Sequence, residues 1–270
     1  MSPGSHGALP GGAGPRASQA MGVVQPVVRG EFAAHPEAQR FAEEVVRVHS
    51  RYADEVVSQF QLCPFLRDAA SGFGRFCVLL TAEPRLEEVL AAAREADASV
   101  VHLVFPCIRT PTGVFERFAA RFGDALRRAA QAPRSAEGTA SAGARSPWAE
   151  ELIFPPPTDP KAPVLAAFHP EMAGDDANAH RLVGLLRRAP DPFIQLIPPG
   201  LSQGGTVLAG SGPAPEEDRS EALFTRLRGT GVASIRARIT ALHAERDARY
   251  APFLEALGLA RPGPRFGPAA

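Results

Sequence analysis

Phe76-Cys77-Val78-Leu79-Leu80 and Val100-Val101-His102-Leu103-Val104-Phe105 decide the fold. Each is a short, continuously apolar run, the pattern of a strand buried on both faces. Between them Leu86, Val89, Leu90 and Ala93 recur at helical spacing, so Glu87 to Ala96 reads as a helix. Strand, helix, strand is a crossover unit with parallel strands. The pattern repeats outward. Val114 to Ala130 carries Phe115, Phe118, Phe122 and Leu126 on one helical face. Val164 to Phe168 reads as a third strand, Arg181 to Arg188 as a helix, and Phe193 to Ile197 as a fourth strand.

Long helices flank this core. Phe41, Val45, Val48, Tyr52, Val56 and Phe60 form one amphipathic stripe. Pro36 suits its first turn and Pro64 its end. Glu216 to Arg228 and Val232 to Leu257 close the chain with two more helical stretches. The expected fold is α/β: a small four-stranded, largely parallel or mixed sheet with crossover helices and long N- and C-terminal helices.

At 270 residues, with 45% hydrophobic and 21% charged content, the chain has the makings of a globular protein. The expected map is a disordered tail over 1–30, one domain over 31–260 and a second tail over 261–270. The Ala-, Gly-, Ser- and Pro-rich stretch 132–162 reads as a mobile insertion. Basic and acidic residues balance at 29 each, so no basic excess points to nucleic acid or an acidic membrane. Lys161 is the only lysine, which fits coding bias or a preference for guanidinium groups. No apolar run approaches the length of a membrane span. Three cysteines without a Cys-x-x-Cys pair suit a reducing cytoplasm.

Three proline-bounded clusters carry chemistry. In Leu62-Cys63-Pro64-Phe65, Cys63 stands where a helix N-terminus would favour its thiolate, as nucleophile or soft ligand. The apolar neighbours equally suit a buried, inert thiol. In Phe168-His169-Pro170, His169 follows a strand, where sites of parallel sheets gather. It reads as a base, a metal ligand, or a histidine satisfying loop carbonyls. Asp175, Asp176 and Asn178 could orient that imidazole or hold a hard metal; they also suit a helix N-cap. In Arg187-Arg188-Ala189-Pro190-Asp191-Pro192, Arg188 could clamp an anion, or both arginines could settle a helix C-terminus. Cys77, Cys107 and His102 read as structural. The glycines of Gly200 to Gly212 lack a phosphate-loop pattern, and no His-Glu-x-x-His or Gly-x-Ser-x-Gly occurs.

At these clusters the chain resembles a bacterial family known as domain of unknown function 1415. The family helix ends in Asn-Leu-Cys-Pro-Phe-Ala, matched here by Gln61 to Leu66. Its Ser-Phe-His-Pro is matched by Ala167 to Pro170. Its Asp-Asp-x-x-Asn is approximated by Asp175, Asp176 and Asn178. Its Asn-Arg-Ser-Pro-Tyr-Pro is similar to Arg187 to Pro192, and Leu254 to Gly258 fits its ending. Departures are Gln195 where the family strand has histidine, Pro198 or Pro199 near its arginine, and Met172-Ala173-Gly174 where it has aromatics. The resemblance implies a divergent member and marks the site more than a reaction.

Two functions follow. One is a small-molecule enzyme with Cys63 as thiol, His169 as base or second ligand, and Arg188 as anion clamp. The other is a non-catalytic module binding a small molecule or protein, with the same residues structural. Neither names a cofactor, a metal or an oligomeric state.

Overall fold

The computed structural model describes residues 25–60, 74–95, 100–131, 164–197, 216–228 and 230–259. Cys63, the 132–162 insertion and the 261–270 tail lie outside them, as do Pro198 and Pro199. The elements are β1 (Val27–Arg29), α1 (Ala38–Tyr52), a π-helical turn (Ala53–Ser58), β2 (Arg75–Leu79), α2 (Leu86–Glu95), β3 (Val101–Val104), α3 (Thr112–Gln131), β4 (Val164–Phe168), α4 (Ala179–Leu186), β5 (Phe193–Ile197), α5 (Glu216–Leu227) and α6 (Thr230–Ala256).

The α/β class is as expected, with one more strand than the sequence suggested. The sheet has five strands in the order β1-β2-β3-β5-β4. β1, β2 and β3 are parallel, and β5 runs antiparallel to both β3 and β4. β4 therefore points the same way as β3, with β5 between them. The added strand is β1, inside the stretch assigned to the 1–30 tail. The domain thus reaches at least to Val27. Gly30 makes β1 possible: its φ is 105°, and a Cβ there would sit 2.5 Å from the Leu80 carbonyl oxygen. That close turn lets Leu80 N donate to Arg29 O at 2.7 Å and Phe32 N donate to Leu80 O at 3.0 Å.

Alternation along the strands feeds two cores. Cys77, Leu79, Leu103, Ile194 and Leu196 face α2 and α3, meeting Val89, Ala92, Phe115, Phe118 and Phe122. Phe76, Val78, Val104 and Phe193 face α1, α4 and α6, meeting Phe41, Val45, Tyr52, Leu182, Ile239 and Tyr250. Each large buried apolar side chain contributes about 1.5–3 kcal/mol, so these faces supply the main driving force. Glu245 on α6 bonds Arg47 and Arg51 of α1, a half-exposed ladder that orients the helices more than it stabilises them. The α1 stripe was expected to stay helical to Pro64. The α form stops at Tyr52, and the π turn follows, closed by Gln59 N donating to Asp54 O at 2.9 Å. Among the described residues no helix is long and apolar enough to cross a membrane.

Candidate functional site

The parallel strands place the chemistry at one edge. β3 and β4 end there and β5 begins there, with Phe105 N donating to Pro192 O at 2.9 Å. Pro106-Cys107, His169-Pro170 and Pro190-Asp191-Pro192 therefore leave or enter the sheet on the same side. β3 and β4 share that direction, and β5 separates them.

At this edge lies a buried polar cluster that the sequence reading did not single out. Asp191 Oδ1 accepts from Arg246 Nε at 2.8 Å, and Oδ2 accepts from the Tyr250 hydroxyl at 3.0 Å. His49 Nε2 lies 3.1 Å from the same Oδ2; against a carboxylate it carries the proton. Arg246 Nη2 donates to Pro106 O at 2.8 Å, and its guanidinium lies 4.7 Å from the Tyr250 ring centroid. Asp191 and Tyr250 are wholly buried, Arg246 is 1% exposed and His49 2%. Burial works against the charge of Arg246, but Asp191 outweighs it and holds the guanidinium pKa above its ordinary value. Burial, then the neighbouring carboxylate, keeps the Tyr250 phenol well above its usual range, so it stays a donor. The cluster joins α1, the exit of β3, the entry of β5 and α6. Sealed from water, it serves as an internal frame. Two sequence signals could have pointed to it, although neither identifies the partners. His49 and Arg246 fall on the apolar stripes of their helices, where a polar group needs a partner. Asp191 is held between two prolines.

His169 lies at the same sheet edge, 3% exposed. Its Nε2 is 2.9 Å from Thr110 O, to which it donates. Its Nδ1 accepts from Glu171 N at 3.1 Å and lies 2.9 Å from Thr112 Oγ1. Both ring nitrogens are thus engaged, tying the end of β4 to the start of α3. Arg188 donates from Nε to Met172 O at 2.8 Å and from Nη2 to Gly174 O at 2.9 Å. Burial, with Arg236 nearby, lowers its pKa from the ordinary guanidinium value. Asp175 accepts from Arg181 Nε at 2.7 Å and from Ala177 N at 3.0 Å. The Arg181 and Ala177 bonds pull its pKa down to about 2. Asp176 pairs with Arg236 at 3.3 Å. Asn178 caps α4, accepting from Arg181 N at 2.9 Å. These residues fold the 169–178 segment back against α4.

No family model, curated protein or solved structure matches this chain.

Cys63 lies outside the described residues. Cys77 and Cys107 are free and buried. Burial pushes each thiol up to about 12, with Asp191 adding to the rise at Cys107. At neutral pH both therefore favour the protonated thiol. Among the described residues no three His, Cys, Asp or Glu side chains stand together as a metal site.

Proposed function

We propose that this chain works by binding a small molecule, with the motif residues His169, Arg188, Asp175, Asp176 and Asn178 as structural supports. The observation that carries this reading is the engagement of both His169 ring nitrogens at 3% exposure. A general base needs a nitrogen lone pair aimed at substrate, and a ligand histidine needs one aimed at metal. Arg188 spends two donors on backbone carbonyls, which favours a role in holding the loop over one in clamping an anion.

The resemblance to domain of unknown function 1415 is part of this proposal. Its support is that the motif residues of the 168–191 segment fold against one another at one sheet edge. A cytoplasmic location and no affinity for nucleic acid also belong to it, supported by the free thiols of Cys77 and Cys107 and the balanced charge.

Alkylation of Cys63 tests the reading. With the fold intact, His169→Gln should leave its labelling rate at neutral pH unchanged, because the imidazole serves Thr110 and Glu171. A drop of about tenfold in that rate, with unchanged thermal unfolding, would show that His169 activates the thiol and would restore the enzyme reading.

A further inference from the structure

Among the described residues the sheet ends in two edge strands, and they are built differently. β1 carries the usual safeguards of an edge. It is short, follows Pro26, and runs out into exposed Arg29 and the bend at Gly30. β4 has none of these. Val164-Leu165-Ala166-Ala167-Phe168 is longer, wholly apolar, and free of charge and proline. Leu165, Ala166, Ala167 and Phe168 are half-buried, whereas every residue of β3 and β5 is buried. β5 takes one side of β4, and among the described residues no backbone group is bonded to the other side. Helix α3 lies along this edge. It starts at the carboxyl edge of the sheet and ends at the amino edge, so it runs antiparallel to β4. The contact is close at Gly123, where a Cβ would come within 3.4 Å of Leu165 Cδ1. Glu116, Ala120, Gly123 and Arg127 recur at helical spacing and share that stripe of α3. The middle of the stripe has little bulk, one end is acidic and the other basic. Arg127 pairs with Asp124 on its own helix, while Glu116 is exposed and has no ion pair among the described residues.

We propose that β4 is where two copies of this chain join, strand to strand and antiparallel, about a two-fold axis at Ala166. A two-fold contact must fit itself. Ala166 meets the partner's Ala166, and Leu165 meets the partner's Ala167, so bulk faces little bulk. A charge close to the axis would meet its own like, and β4 carries none. The same axis sets the two α3 helices side by side and antiparallel. Ala120 and Gly123 let them approach, and Glu116 comes to the partner's Arg127 at both ends of the contact. This charge complementarity is what selects a second copy as the occupant. A stable interface buries about 1,200–2,000 Å² in total, more than one short strand supplies, so the α3 stripe is a necessary part of it. The contact is independent of the small-molecule reading above.

The test is sedimentation of the full chain over a range of micromolar concentrations, with hydrogen exchange read at β4. The expected result is a reversible dimer of twice the 28.5 kDa chain mass, with alternate β4 amides exchanging more slowly as it forms. Glu116→Arg sets like charges against each other at both ends and should weaken the dimer by about tenfold or more. Adding Arg127→Glu reverses the polarity of the whole stripe and should restore it. Glu116 and Arg127 both reach solvent, so the variant monomers should keep the circular dichroism and cooperative unfolding of the parent. A dimer that is equally tight in Glu116→Arg joins through another surface, which overturns the proposal. A chain that stays monomeric at every concentration overturns it as well. In that case protected β4 amides mean that another part of the same chain covers the edge, and unprotected ones mean that solvent does.

Discussion

Asp191 and Arg246 form an ion pair of 2.8 Å in which neither side chain reaches solvent beyond 1%. Desolvating two charges is expensive, and the pair persists because its remaining atoms are bonded as well: Asp191 to Tyr250 and His49, Arg246 to Pro106 and Asp247. Breaking one side leaves the other charge buried and uncompensated. Asp191→Asn should therefore cost about 3–5 kcal/mol in urea unfolding. The double variant Asp191→Leu with Arg246→Met should cost less than the sum of its single changes, since it removes both charges together. Simple additivity would mean that the two residues stabilise the fold independently.

β1 is the clearest place where composition misleads. Val27-Val28-Arg29 follows a Gly-, Pro- and Ala-rich stretch and is too short to show a period of its own. Its stability comes from the β2 ladder, where Val27, Val28 and Arg29 pair with Cys77, Val78 and Leu79. A chain beginning at Glu31 should thus be less stable than one beginning at Gln25 by about 1–3 kcal/mol, from lost ladder bonds and lost burial of the two valines. Chemical denaturation of the two truncations gives the difference directly. Equal stability would show that β1 adds nothing to the sheet.

The other strands and all six helices were legible because burial writes its period into the sequence. β2 and β3 read as continuous apolar runs, and α3 repeats phenylalanine at helical spacing. The direction of β5 was not legible. A helix joins β4 to β5, and such a link usually returns the chain to a parallel strand. Here α4 is only eight residues long, and the chain enters β5 from the same edge at which it left β4. The candidate site was half legible. His169, Arg188 and Asn178 stood out because prolines and polar pairs surround them. His49, Arg246 and Tyr250 did not, because each sits in a regular helix and only tertiary packing shows that Asp191 gathers them. The Asn178 cap was readable, since capping is local.

Asp175 gives the molecule a specific acid sensitivity. Its folded pKa of about 2 lies below the ordinary value of 3.8 because Arg181 and the Ala177 amide bond the charged form. A carboxyl depressed on folding adds stability above its unfolded pKa and loses it as pH falls through the folded value. The unfolding-temperature gap between the parent and Asp175→Asn should be constant near neutrality and should shrink between about pH 4 and pH 2. The carboxylate is on the surface, so the gap should be small and should narrow in high salt. A gap that does not change with pH would show that the asparagine acts through something other than lost charge.

Gly184 decides how closely the loop after His169 can lie on α4. A Cβ at this position would come within 1.9 Å of the Ala173 carbonyl oxygen, and one at Gly174 within 2.2 Å of Leu185 N. Two backbones touch here with no side chain between them. In an ordinary exposed helix, replacing glycine with alanine stabilises by about 1 kcal/mol. Here the sign should reverse. Gly184→Ala should destabilise by about 1–3 kcal/mol, because the loop must move off the helix to make room. That movement would lengthen the bonds from Arg188 to Met172 O and Gly174 O, and the one from Asp175 N to Arg181 O. Hydrogen exchange at the Asp175 amide should therefore speed up along with the loss of stability. Gly184→Ala that stabilises the protein, with the Asp175 amide still protected, would mean that the loop does not rest on α4 and that Arg188 has some other task.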